Sequence, residues 1–212
     1  HPVAHSFPTR RSSDLLNELA FELHWERYAS VHIGFGQDDP IHQVVSDYFH
    51  DIELALRALR EREIVRVGFA VSRARDHSTD FSWSSRFLLF QQGTPVRSRI
   101  PFIKSKKPDY DRKEFLSWFG RYRPDALLVA GDREFEWLRD AGISIPDQCG
   151  VINLVQRGET NLTGVNPRTD QVGRAAVSLL MSLLESNQFG LPRFPRLISI
   201  RGEWVEGKTL SC

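Results

Sequence analysis

Two kinds of segment alternate along the chain. Short unbroken apolar runs, Val65–Val71, Ala126–Ala130 and Val151–Val155, are bounded by Pro, Gly or polar residues. Their length and flanks predict strands buried on both faces. Between them lie longer segments whose apolar residues recur three and four apart, the spacing of one helix face. These are 16–29, 49–62 (Ile52, Ala55, Leu56, Leu59), 81–92 (Trp83, Phe87, Leu88, Phe90), 114–119 and 170–185 (Val172, Ala176, Leu179, Leu180, Leu183). Further short strands are predicted at 30–34, 42–46, 96–103, 162–165 and 197–204, with polar, flexible chain at 72–80 and a charged loop, SKKPDYDRK, at 105–113.

The stretch 124–154 carries this alternation most clearly. After the strand at 126–130, Asp132 is placed to cap a helix, and Glu134 stands in the first turn, where the helix dipole favours negative charge. Gly142 suits the left-handed residue that ends a helix, and Pro146 blocks its resumption. The run from Val151 completes a strand–helix–strand unit with short connections, which joins parallel strands. Repeated along the chain, such units predict a doubly wound α/β fold. In open α/β sheets ligands bind beyond the carboxyl ends of strands, a rule that selects Asp47, Ser72, Gly131–Asp132 and Gln156. Asp132 leads this group: a carboxylate at a strand end accepts hydrogen bonds from sugar-like hydroxyls, although a helix N-cap uses the same residue type.

Composition narrows the picture mainly by exclusion. With 28 basic and 27 acidic residues the net charge is +1, so no bulk field argues for nucleic acid or a membrane surface. Cys149 and Cys212 make no disulfide framework, which suits a reducing, cytoplasmic setting, and Cys149 reads as a small core residue. No apolar run approaches the roughly 20 residues of a membrane span. Seven histidines are scattered without metal-ligand spacing, and neither a GxSxG elbow nor a P-loop is present, so no catalytic, metal or cofactor site is expected. Gly34 and Gly36 lack the third glycine of a dinucleotide loop, and Asp38–Asp39 beside Pro40 reads as a turn. The cluster Arg97, Arg99, Lys104, Lys106 and Lys107 reads as a soluble edge strand and loop rather than a phosphate site.

Three motifs in order resemble the LacI/GalR family of bacterial transcription regulators. PDALLVAGDREFEWLRDAGISIPDQCGVINL (124–154) is similar to that family's sensor signature, with Pro124, Asp125, Ala126, Asp132, Leu138, Gly142, Ile145, Pro146, Asp147 and Val151 in matching places. Residues 162–185 resemble its "LTTV…P…G…A" segment, and residues 44–70 its "V..DN..G…A…L…GH..IGF" segment. The resemblance implies a two-lobed periplasmic-binding-protein-like type I fold with parallel doubly wound sheets, the N-lobe incomplete. One lobe would hold 16–64 and 157–190, the other 65–156 and 191–212. It further implies an effector-binding and dimerisation domain that closes on a small, possibly sugar-like ligand. Operator DNA would be contacted only through a helix-turn-helix headpiece outside this chain. A solute-binding protein serving an importer is the alternative. By analogy the helices at 49–62 and 133–141 are the expected homodimer face. The βα units that open the family's N-lobe are absent, so an uncovered sheet edge, exposed apolar surface and poor solubility are expected.

Departures from the family pattern fall on the site. Gly131 stands where Asn is usual, the carboxylate expected after the 151–155 strand falls on Val155 or Gln156, and the effector-gripping Arg falls on Trp83, with Arg86 nearby. Trp83 reads either as a stacking surface for a ligand or as core. Residues 5–15, HSFPTRRSSDL, resemble a translated sequencing adapter, the alternative being a basic arm touching DNA or membrane; the opening His1 and lone Met181 add the expectation of a fragment.

Overall fold

A computed structural model describes residues 24–35, 40–158 and 161–211. The expectations for 5–15, for most of the 16–29 helix, for Asp38–Asp39 and for Cys212 lie outside these residues. Eight strands make two sheets. The smaller runs β1 (Val31–Ile33), β2 (His42–Ser46), β7 (Leu197–Ile200), all parallel. The larger runs β3 (Val67–Ala70), β4 (Ala126–Val129), β5 (Gly150–Asn153), β6 (Thr163–Asn166), β8 (Glu203–Val205), parallel except for the last pair.

The unbroken apolar runs became strands buried on both faces, as parallel sheets require. Alternation along each strand sends Phe69, Leu128 and Ile152 to one face of the larger sheet and Ala70, Leu127, Val129 and Val151 to the other. The first face is covered by helices α1 (Tyr48–Glu61) and α3 (Ser82–Gln92) through Ile52, Leu56, Leu59, Trp83 and Phe87. A short helix, α2 (Arg73–His77), precedes α3 in the stretch expected to be loop. The second face takes α4 (Arg112–Tyr122) and α5 (Arg133–Asp140) through Phe115, Trp118, Phe119 and Leu138. Cys149 is buried in that layer, and burial, reinforced by the Asp125 charge, pushes its thiol up to about 12; it is the inert core residue expected. Helix α6 (Thr169–Glu185) covers the smaller sheet with Val172, Ala176, Leu179 and Leu183.

Several boundaries differ from expectation. Helix α1 packs on the larger sheet, not with the first lobe. Strand β6 pairs with β5 in the larger sheet, whereas 157–190 was expected in the other lobe. The closing strand splits: β7 joins β2, and after Arg201–Gly202 the chain crosses so that β8 runs antiparallel to β6. No strand forms at 96–103, where a 3-10 turn (Val96–Ser98) is followed by irregular chain. Pro95 and Pro101 remove ladder donors there, and the Arg99 guanidinium donates to the carbonyls of Thr94 and Gln92, holding the segment against the end of α3.

Among the described residues β1 has one neighbour strand, and Ile33 on this edge is exposed. Helix α6 exposes Val177, Met181 and Leu184, an apolar stripe at helical spacing. Changing Met181→Lys and Leu184→Glu together is expected to raise the soluble fraction on expression, with stability altered by no more than about 0.5 kcal/mol. Unchanged solubility would show that the stripe is not what drives aggregation.

Candidate functional site

The chain passes between the sheets at three places, after β2, after β6 and after β7, and hydrogen bonds bind the crossings together. Asp47 N–H donates to the Ile200 carbonyl at 2.8 Å, and Ser46 Oγ to the Pro167 carbonyl at 3.3 Å. The Asp47 carboxylate caps α1 by accepting from His50 N–H at 3.0 Å and faces Arg201 Nε at 3.7 Å. Asp51, wholly buried, accepts the Gly202 N–H at 2.9 Å through one oxygen. Its other oxygen and the Trp83 indole N–H are buried without a hydrogen-bond partner among the described residues. Burial drives the Asp51 carboxyl up to about 7; the Gly202 N–H opposes this, and the Asp47 charge adds to it.

Next to these crossings the carboxyl ends of several strands supply side chains. From the β2 end comes Tyr48, whose ring meets Trp83 edge-on at 5.3 Å and Phe35, just past β1, at 6.0 Å. Burial raises the Tyr48 hydroxyl; a hydrogen bond with Ser46 and the charges of Arg75 and Arg157 oppose that, while Asp51 adds to it. Arg75 follows the β3 end and Arg157 the β5 end. Asn153, last in β5, donates from Nδ2 to Asp132 Oδ1 at 3.3 Å, while its own Oδ1 accepts the Val155 N–H at 3.0 Å. Gly131, at φ +153°, makes the turn that brings Asp132 to the end of β4. Here the expected Asn is absent, and glycine supplies the backbone freedom instead. The Asp132 carboxylate and Asn153 amide can serve hydroxyl groups, and the Tyr48 and Phe35 rings an apolar face.

Of the residues singled out from sequence, Asp132 reaches this strand-end site with its carboxylate committed to Asn153 and makes no cap hydrogen bond to α5. Ser72 caps α2 through the Arg75 N–H and hydrogen-bonds Asp109, whose carboxyl is held low mainly by Arg133. Gln156 is buried at the β5 end, its side-chain amide donating to the Gly158 carbonyl. Asp47 sits at the crossings. Trp83 is 1 % exposed and packs with Phe87 and Ile52, so it forms the floor beneath Tyr48, not an open stacking surface. Arg86 pairs with Glu53 of α1 and lies 5.1 Å over the Phe49 ring, which ties α3 to α1 and commits its charge there. Phe35, Tyr48, Arg75, Asn153 and Arg157 were not anticipated. Asn153 was findable, as the polar residue inside the apolar run 151–155; Tyr48 and the two arginines carry no local signal. In the charged loop 105–113, the Arg133 guanidinium binds Asp109 through two nitrogens and donates twice to Glu134, to which Tyr110 also donates.

Two hollows open among the described residues. One of about 820 Å³ opens at the ends of β6 and β7 and the start of α6, lined by Asn166, Arg168, Gln171, Arg174 and Glu203. Another of about 610 Å³ lies between α1 and α3, lined by Leu56, Ile64, Val65, Leu89 and Phe90. The second is apolar and remote from the strand ends. Among the described residues there is no group of acidic, His or Cys side chains able to hold a metal, and no helix long and apolar enough to cross a membrane.

The family model for a periplasmic binding protein-like domain matches residues 56–210. The chain belongs to this family. Solved structures similar to this periplasmic-binding-protein-like domain include a LacI-family transcriptional regulator from a Rhodococcus species, 16% identical, with a TM-score of 0.70 over 95% of this chain and 75% of that one. A LacI-family regulator from Enterococcus faecium with bound ribose is 12% identical, with a TM-score of 0.66 over 95% of this chain and 76% of that one. A periplasmic binding protein/LacI transcriptional regulator from Alkaliphilus metalliredigens, complexed with D-xylulofuranose, is 16% identical, with a TM-score of 0.64 over 86% and 70%. At these identities the likeness establishes the fold. No curated protein matches the sequence.

Proposed function

We propose that this periplasmic-binding-protein-like domain is the effector-binding and dimerisation domain of a LacI-type transcriptional regulator. It binds a small hydroxylated ligand at the strand ends and passes the resulting lobe movement to a DNA-binding headpiece carried elsewhere in the protein. The observation that supports this reading is the pairing of Asp132 with Asn153 at the adjacent carboxyl ends of β4 and β5, in a fold whose chain crosses between two parallel sheets at three hydrogen-bonded places. Ligand binding at such a site biases the angle between sheets, and a change of angle alters how two copies sit on an operator. The ribose and xylulofuranose complexes of similar structures support a sugar-like effector. Homodimer contacts are assigned to the exposed positions of α1 and α5, among them Arg57, Arg60, Glu136 and Arg139. The domain works in the cytoplasm and performs no catalysis.

A panel of sugars including ribose, xylulose and cellobiose, titrated while following tryptophan fluorescence at sub-micromolar protein, tests this reading. Trp83 beneath Tyr48 is expected to report binding. Asp132→Ala is expected to weaken the best sugar by roughly tenfold or more, the scale of a hydrogen bond to a charged group. Equal affinity in the variant would remove Asp132 from the site.

A further inference from the structure

We propose that Arg133 is a positioning residue of the effector site: by clamping Asp109 it holds residues 105–111 as a preformed wall beside Asp132, and the tightness of effector binding depends on that clamp. The proposal rests on the strand-end site being the effector site and adds a residue that acts on it from outside.

The wall is placed by hydrogen bonds from two neighbouring strand ends. On the β3 side, the Ala74 N–H at the start of α2 donates to the Pro108 carbonyl at 3.0 Å. On the β4 side, Arg133 opens α5 and is next in sequence to Asp132; it donates to both oxygens of Asp109 at 2.7 and 3.0 Å. Residues 108 and 109 therefore bridge the ends of β3 and β4. Asp132 has this segment on one side and Asn153 of β5 on the other.

The Arg133 guanidinium is itself held. Its Nε and a terminal nitrogen donate to Glu134 at 3.1 and 2.8 Å, and it lies 5.1 Å over the Tyr110 ring and 4.8 Å over the Trp137 ring. Tyr110 is buried and donates to the same Glu134 oxygen at 2.7 Å. All three guanidinium nitrogens are engaged, in a planar fork that a lysine cannot reproduce. The flanks of the segment are fixed separately, by Ser105 on Glu114 and by the Asp111–Glu114 capping box, so the clamp acts on its middle. With side chains 40% and 48% exposed, the Arg133–Asp109 pair contributes little to global stability. Its effect is on order: a wall fixed before the effector arrives removes the entropy loss of ordering it on binding.

Calorimetric titration of the full chain with ribose, xylulose and cellobiose tests this. Calorimetry is needed because Trp137 stacks on Arg133, so its fluorescence would change in the variants. Arg133→Gln and Asp109→Asn are each expected to weaken the tightest of the three sugars by roughly fivefold to tenfold. Arg133→Lys should recover part of that loss. The double variant should bind no more weakly than the poorer single one, because both changes remove the same contact. Asp109→Asn leaves Arg133 on Glu134, so its thermal midpoint should stay within about 2 °C of the parent. Hydrogen exchange without sugar should quicken at 105–111 alone. Affinity that falls only in step with the midpoint, or additive losses in the double variant, would make Arg133 a structural residue and overturn the proposal. So would faster exchange at 105–111 with affinity within about twofold of the parent. If Asp132→Ala abolishes sugar binding while both clamp variants bind as the parent does, the strand-end site stands without this wall. If none of the three sugars binds the unmodified chain, the strand-end reading falls, and this inference with it.

Discussion

A single added methyl at Gly164 is expected to destabilise the protein by about 3 kcal/mol or more, among the larger effects open to a point substitution. Gly164 lies opposite Asn153 where β6 meets β5, and a Cβ there would stand 2.1 Å from the Asn153 carbonyl oxygen and 2.9 Å from its carbon. The obstructing atoms are backbone, so no rotamer change relieves the overlap. Only separation of the two strands does, at the expense of ladder hydrogen bonds. The same displacement would carry Asn153 away from Asp132 and from the Val155 N–H, so ligand binding should fall with stability. A urea midpoint for Gly164→Ala that implies a loss below about 1 kcal/mol would mean that the β5–β6 pairing is looser than described. Gly68 is the useful contrast. Its added Cβ would meet the side chains of Leu127 and Trp118 at 2.7 Å, and side chains can shift, so Gly68→Ala should cost less.

The second large effect concerns pH. Asp51 is raised to about 7 in the folded protein, chiefly by burial, against about 3.9 in an unfolded chain. Its folded value is the higher one, so its contribution to stability is fully present below about pH 4. That contribution is lost progressively as pH rises through about 7, where the buried carboxyl must ionise. By linkage a shift of this size corresponds to as much as about 4 kcal/mol. Asp51→Asn keeps an oxygen for the Gly202 N–H and cannot ionise. The stability difference between the two proteins should therefore swing towards the variant between pH 4 and 8, measured as the difference in urea midpoints. Parallel pH profiles for the two would rule out ionisation of Asp51 as a contributor. Because Asp51 joins α1 to the β7–β8 crossing, the same titration is expected to loosen that crossing at alkaline pH.

What was legible in the sequence follows from how local each signal is. The runs 67–70, 126–129 and 151–153 are apolar throughout because both faces are covered, and that requirement is written in consecutive residues. Helices α1, α3 and α6 show their buried face in their spacing. Sheet membership is not local: β6 and β7 both read as short strands, and only their pairing partners, β5 for one and the far distant β2 for the other, separate them. The break at Arg201–Gly202 was hidden for the same reason, since Gly202 is required there by the close approach of Asp51 and the Asn166 carbonyl. Asp132, Ser72 and Gln156 do lie just past strand ends, because that placement depends on topology, which the pattern revealed. It did not predict that Trp83 would be covered by Tyr48, or that Arg86 would be engaged by Glu53, because both depend on how α3 lies against α1.

The most direct test of the account is a hydrogen–deuterium exchange footprint of the chain with and without the tightest-binding sugar of the panel at saturating concentration. The account predicts protection confined to the strand ends, in peptides covering 33–48, 71–76, 130–133 and 153–158, with the α1–α3 groove around Leu56, Val65 and Leu89 unchanged. Protection of that groove with the strand ends unaffected would contradict it and move the ligand site to the surface between the two helices.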